Sequence, residues 1–125
     1  MKILLMLSVL ISSCSSYLTL KDTSKTFPAD FNSTFSAAVD YCKSNGIAIR
    51  TIDRENGIIT TEYSSTTERR YNFNIVSRGD STLVSVTLYK TSINGTENPM
   101  QYSDFLPEYN GVFTWLNDGL LKNKP

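Results

Sequence analysis

The fold class follows from residues 70–76, which read Arg70-Tyr71-Asn72-Phe73-Asn74-Ile75-Val76. Apolar and polar side chains alternate along this run, and a period of two indicates a β-strand with one buried and one wet face. The run 83–90 repeats the alternation around Val84, Val86 and Leu88. Two such runs joined by a short turn predict neighbouring antiparallel strands.

Two further strand-like runs precede this pair, at 47–53 and 58–63. Asn56-Gly57 lies between them and is typical of a tight hairpin turn. Each link between the four runs is short and rich in turn residues. The sequence therefore predicts a four-stranded antiparallel meander.

An amphipathic helix is expected on each side of the meander. The first is predicted over 29–44, with Pro28 in its first turn and Asn45-Gly46 ending it. The second is predicted over 105–121, with Tyr109, Phe113 and Leu116 on its apolar stripe. Two helices that cover one face of the sheet would give a two-layer, helix-grip-like α+β domain.

The first fourteen residues have a different character. Lys2 precedes an apolar run over 3–11, which fits a secretory signal peptide and is shorter than the ~20 residues that cross a bilayer. The residues Ile11-Ser12-Ser13-Cys14 then resemble the lipobox of bacterial lipoproteins. This resemblance implies cleavage between Ser13 and Cys14 and lipidation of Cys14. A plain signal peptide and a buried N-terminal strand are the alternatives.

These features divide the chain into three parts: a lipoprotein signal peptide at 1–13, a lipidated tether at 14–26 and a single α+β domain at 27–125. Two or more acyl chains hold a protein stably on a membrane without a spanning helix. Ser15 follows Cys14 in place of the aspartate that favours the inner membrane in this family. The resemblance therefore implies the outer membrane of a Gram-negative bacterium, with the domain facing the periplasm.

Composition limits the partners and the chemistry. The chain has twelve basic and twelve acidic residues, and removing Lys2 leaves a nearly neutral domain, which argues against a nucleic-acid partner. Cys42 would be the one cysteine left after lipidation of Cys14, so no internal disulfide is expected. Its place on the apolar helix face predicts a buried thiol, with an intermolecular bridge or a reactive thiol as the alternative.

Catalytic patterns are absent from the sequence. The chain contains no histidine, which removes Ser/His and Cys/His nucleophile pairs and the commonest zinc ligand. It has neither an acidic calcium loop nor a glycine-rich phosphate loop. We therefore expect no enzyme, no metal site and no cofactor. An unrecognised active site would be sought where Arg50, Glu62 and Arg70 meet.

The cap and turn residues of 27–63 carry a second resemblance. They are Phe27-Pro28, Asn45-Gly46-Ile47, Ile52-Asp53 and Asn56-Gly57-Ile58-Ile59. With the order helix, four strands, helix, they are similar to the helix-grip domains of bacterial envelope lipoproteins of the BamC type. The resemblance implies a non-enzymatic lipoprotein whose domain binds another protein.

Two binding functions follow as expectations. The first is an accessory subunit of an envelope complex, with Tyr63, Tyr89, Tyr102 and Trp115 as its candidate interaction surface. The second is a module that binds a small apolar ligand or lipid in the gap between the sheet and the C-terminal helix. That gap would be lined by Phe73, Val86, Phe113 and Leu116.

Overall fold

The computed structural model of the chain describes residues 16–65 and 68–122. The expected signal peptide, the cleavage site at Ser13 and the lipidation site at Cys14 lie outside the described residues. Within the described ranges, no helix has the length and apolar character needed to cross a membrane.

The described chain forms one antiparallel sheet and three helices. The strands are β1 Ser24–Phe27, β2 Ile49–Asp53, β3 Ile58–Thr61, β4 Arg70–Arg78, β5 Ser81–Thr91 and β6 Glu97–Pro99. The helices are α1 Leu20–Thr23, α2 Phe31–Ser44 and α3 Leu106–Lys122, with a 3₁₀ turn at Ser103–Phe105 leading into α3. The predicted α+β class is confirmed.

The sheet is larger than the expected four-stranded meander. Strands β2, β3, β4 and β5 are consecutive antiparallel neighbours, as expected, but β1 and β6 also pair with β5. β1 lies along residues 82–85 and β6 along residues 89–91 of β5. The count of four was wrong because both added strands are short and polar, so neither shows the alternation that marks a buried strand. They form where the long strand β5 leaves its backbone groups open for pairing.

The folded part also begins earlier than predicted. Helix α1 and most of β1 fall in residues 14–26, which the sequence places in the tether. Helix α2 begins later, at Phe31, because the Asp30 side chain accepts a hydrogen bond from the Ser33 N–H at 2.7 Å and caps the helix. Pro28 therefore lies before the helix and not in its first turn.

The core lies between the inner face of the sheet and the helices α2 and α3. Tyr71, Phe73 and Ile75 on β4 are at most 6% exposed, as the alternation predicts. Each faces a buried neighbour on β5, in the pairs Tyr71–Leu88, Phe73–Val86 and Ile75–Val84. The helices complete the same cluster with Phe35, Ala38, Cys42, Tyr109, Val112, Phe113 and Leu116.

The β2–β3 hairpin depends on Gly57 in two ways. Its φ of +70° is in the left-handed region that favours glycine, and a Cβ there would lie 1.9 Å from the backbone oxygen of Ile75. The Gly57 carbonyl also accepts a hydrogen bond from the Ile75 N–H at 2.7 Å. Gly57 therefore lets the hairpin turn pass directly against β4.

Candidate functional site

The outer face of the sheet is left open in the part of the chain that the structure describes, because α2 and α3 pack on the inner face. Polar side chains of β4 and β5 point outward here, in the register pairs Arg70–Tyr89, Asn72–Thr87 and Asn74–Ser85. Antiparallel sheets commonly keep one face solvated, so an open polar face is no anomaly by itself. Its specific feature is an ordered group of charged and aromatic side chains at one end.

That group, the outer-face cluster, consists of Tyr63, Arg70, Tyr89 and Glu97. Register places Arg70 of β4 opposite Tyr89 of β5, and the guanidinium carbon lies 4.2 Å from the centre of the Tyr89 ring. Arg70 also donates two hydrogen bonds to the Glu97 carboxylate of β6, at 2.6 and 3.1 Å. Three strands thus position one bidentate, ring-stacked arginine.

Two more groups hold the cluster in place. The Tyr63 hydroxyl donates a hydrogen bond to Glu97 Oε2 at 2.7 Å, and Arg70 donates one to Asn72 Oδ1 at 2.7 Å. The Arg70 side chain is only 12% exposed, whereas that of Glu97 is 42% exposed. Hydrogen bonds from Arg70 and Tyr63 lower the pKa of Glu97, and the bond to Glu97 raises the pKa of Arg70.

A second ion pair adjoins the cluster. Arg50 of β2 donates two hydrogen bonds to the Glu62 carboxylate, at 2.9 and 3.1 Å, with both side chains about half exposed. Hydrogen bonding within this pair lowers the pKa of Glu62 and raises that of Arg50. Arg70 is close enough to affect both pKa values. The structure therefore brings Arg50, Glu62 and Arg70 into one neighbourhood.

The ion pairs of this neighbourhood stabilise the charged forms of their side chains. The pKa values of both carboxyls move down and those of both guanidinium groups move up, so all four are held further into their charged forms. A general acid or base works best with a pKa near the operating pH. The arrangement can present fixed charge and aromatic surface to a partner.

Tyr102 lies apart from this cluster. It stacks on Tyr17 with ring centres 5.0 Å apart, and the side chains are 42% and 63% exposed. A hydrogen bond with Tyr17 is the main cause of the raised pKa of Tyr102. The two residues form an isolated antiparallel bridge, so Tyr102 belongs to a contact between the N-terminal segment and the chain after β6.

Trp115 lies in the other layer. It is half-buried on α3, and its ring meets that of Tyr41 on α2 edge-on with centres 5.4 Å apart. It also lines a shallow groove between the helices with Ala37 and Asp40. Of the four candidate aromatics, the structure brings Tyr63 and Tyr89 together and places Tyr102 and Trp115 elsewhere.

The candidate ligand gap between the sheet and α3 contains core side chains. Phe73, Val86, Phe113 and Leu116 are all at most 5% exposed and belong to the core cluster. A surface depression of about 530 Å³ lies elsewhere, between α2 and α3. Its lining mixes apolar and polar groups, among them Ala37, Leu120, Asp30 and Asn117.

The thiol of Cys42 is buried on α2, as predicted, and burial raises its pKa to about 12. A thiol with so high a pKa holds little thiolate at neutral pH, and the thiolate is the nucleophile. Cys42 therefore contributes to packing and not to the site.

Sequence reasoning missed Glu97 and did not find the partner of Tyr17. Glu97 lies in a polar connection without periodicity, and only the Asn94-Gly95 pair before it signalled a hairpin. Tyr17 lies in the segment that the sequence places in the tether. Each becomes part of a contact only through strand register across the sheet edge.

Neither metal-site geometry nor relatives add to this picture. In residues 16–65 and 68–122, no group of three or more His, Cys, Asp or Glu side chains is placed to hold a metal ion. No protein-family profile matches the chain, and no curated protein matches it at a significant level.

Proposed function

We propose that this chain is a lipid-anchored bacterial envelope lipoprotein whose domain is a non-enzymatic interaction subunit of an envelope complex. The proposal places it on the outer membrane, facing the periplasm. The anchor is supported by Lys2, the apolar run 3–11 and the lipobox-like Ile11-Ser12-Ser13-Cys14. The observation that carries the interaction role is the outer-face cluster on an open sheet face.

The composition of the cluster suits a protein interface. Tyrosine and arginine are enriched among the residues that contribute most to binding energy. Ordering side chains on binding costs free energy, and Arg70 is already held by Glu97, Asn72 and the Tyr89 ring. Glu97 remains 42% exposed, so its carboxylate is available to a donor on the partner.

The helix-grip relation belongs to the same proposal. Helix α2 comes directly before the meander β2–β5, α3 follows it, and both contribute side chains to one core on the inner face. This order supports a helix-grip-like domain with β1 and β6 added at one edge. In such a domain the outer face remains available for a partner protein.

A photo-crosslinking experiment in native membranes tests the interaction role. A crosslinking amino acid would replace Asn74, which is exposed on the outer face, or Lys43, which is exposed on α2 as a matched control. We expect a defined adduct from position 74, identified by mass spectrometry, and loss of that adduct in the Arg70→Ala variant. Equal adducts at both positions, or monomer alone at native expression, would contradict the proposal.

The alternative function is binding of a small apolar ligand or lipid. The depression between α2 and α3, at about 530 Å³, is within the usual size of ligand pockets. Native mass spectrometry of the domain released from membranes tests this alternative. A retained ligand that is lost when Ala37 is replaced by Trp would support it, and a ligand-free spectrum would count against it.

A further inference from the structure

Ser16, the first of the described residues, is already hydrogen-bonded to the domain. Any tether between Cys14 and the domain is therefore short. The Ser103 N–H donates a hydrogen bond to the Ser16 carbonyl at 2.7 Å, and the Leu18 N–H donates one to the Gln101 carbonyl at 2.7 Å. Together with the Tyr17–Tyr102 bridge, these bonds define what we call the seam, residues 16–18 and 101–103.

The seam stands very close to the proposed anchor. Ser16 is two positions after Cys14, and two extended residues span about 7 Å. A lipid chain on Cys14 would enter the bilayer, so the seam would lie within about 7 Å of the lipid headgroups. The domain would be held against the membrane and not lifted from it.

The surface around the seam is apolar enough to meet lipid. Tyr17 is 63% exposed, Leu20 80% and Tyr102 42%. Together they are three of the eight large hydrophobic residues found exposed among the described residues. Tyrosine rings with a wet hydroxyl end are also enriched at membrane interfaces.

We propose that this edge, defined by Tyr17, Leu20 and Tyr102, contacts the headgroup region of the membrane and sets the orientation of the domain. The inference rests on the proposed lipid anchor at Cys14. Four strand spacings separate β6 from β2 in the order β6-β5-β4-β3-β2, or about 19 Å. Strand β2 therefore lies at the edge of the sheet farthest from the lipid. The outer-face cluster then faces along the membrane surface, towards partners at the same membrane.

Fluorescence quenching in vesicles tests this orientation on the mature, lipidated chain that begins at Cys14. Single cysteines would be introduced by Leu20→Cys at the proposed contact or Thr51→Cys on β2, and labelled with an environment-sensitive dye. Cys42 is fully buried and therefore shielded from the label. The vesicles would contain phosphatidylethanolamine, phosphatidylglycerol and a lipid with a nitroxide on its headgroup.

We expect dye at position 20 to emit at shorter wavelength and to be quenched several-fold more than dye at position 51. The Cys14→Ser variant labelled at position 20 and mixed with the same vesicles gives the unanchored baseline. Equal quenching at both positions of a lipidated chain would overturn the orientation and leave the proposed function standing. An intact mass showing unmodified Cys14 would overturn the anchor, and the orientation with it.

Discussion

The backbone N–H of Ser103 donates a hydrogen bond to the carbonyl oxygen of Ser16, with nitrogen and oxygen 2.7 Å apart. This contact joins the start of the described chain to the residues just before α3. It changes the expected role of the N-terminal segment, because residues placed in a tether are part of the folded domain. An anchor at Cys14 would then hold the domain at the membrane and would also limit its distance from the lipid and its orientation.

Gly57→Ala should destabilise the domain strongly. An added Cβ would meet the Ile75 backbone oxygen, in a conformation that itself costs an L-residue about 1–2 kcal/mol. We expect the free energy of unfolding in urea to fall by more than about 2 kcal/mol. Gly46→Ala is the matched control, since its φ is +67° but nothing lies within 4 Å of an added Cβ. Equal effects of the two substitutions would contradict the close approach.

Tyr109→Phe should be costly although it removes a single oxygen. The Tyr109 hydroxyl accepts a hydrogen bond from the Leu88 N–H at 3.1 Å and donates one to the Met100 carbonyl at 2.8 Å. The substitution leaves two buried backbone groups with a lost partner, so we expect about 2–4 kcal/mol of destabilisation in chemical unfolding.

Tyr89→Phe is the control for that measurement. It keeps the aromatic ring beneath Arg70 and should change stability by less than about 0.5 kcal/mol. If Tyr109→Phe proves as mild as Tyr89→Phe, the hydroxyl does not bridge β5 and the chain after β6.

Glu97→Gln should remove part of the pH dependence of stability. The pKa of Glu97 lies below its usual value of 4.5 in the folded protein, because Arg70 and Tyr63 hydrogen-bond to the carboxylate. The contribution of the Glu97 charge to the stability of the fold is therefore complete above about pH 4.5, and it disappears as the pH falls through the pKa of the folded state. We expect Glu97→Gln to be less stable than the parent by about 1 kcal/mol at pH 7, with a smaller difference at pH 3.

Urea unfolding of both proteins at the two pH values provides that comparison. Glu62→Gln is the control, and it should show a smaller difference because both side chains of its ion pair are at least half exposed. A Glu97→Gln deficit that is the same at pH 3 and pH 7 would show that packing, and not charge, is responsible.

Local side-chain pattern was sufficient to predict the centre of the fold. The alternation of Tyr71, Phe73 and Ile75 predicts which face of β4 is buried, because successive strand residues point to opposite faces. The edge strands β1 and β6 had no such signal, since they form through backbone pairing with β5. The start of α2 was misplaced because the Asp30 cap, and not Pro28, sets it.

The candidate site was predictable only in part. Tyr63 and Tyr89 were predicted to be exposed aromatics; the structure has them half-buried, in one cluster with Arg70. Glu97 joins that cluster through the β5–β6 register, although it lies 27 residues along the chain from Arg70. A local sequence pattern cannot predict a contact between residues so far apart in the chain. For the same reason the partnership of Tyr102 with Tyr17 could not be read from either segment alone.

The intact mass of the chain purified from bacterial membranes is the sharpest test of the proposed anchor. We expect a mature protein that begins at Cys14 and carries a diacylglycerol thioether, and a Cys14→Ser variant that is folded and soluble. A full-length mass, cleavage at another position, an unmodified Cys14, or a Cys14→Ser variant that still sediments with membranes would contradict it.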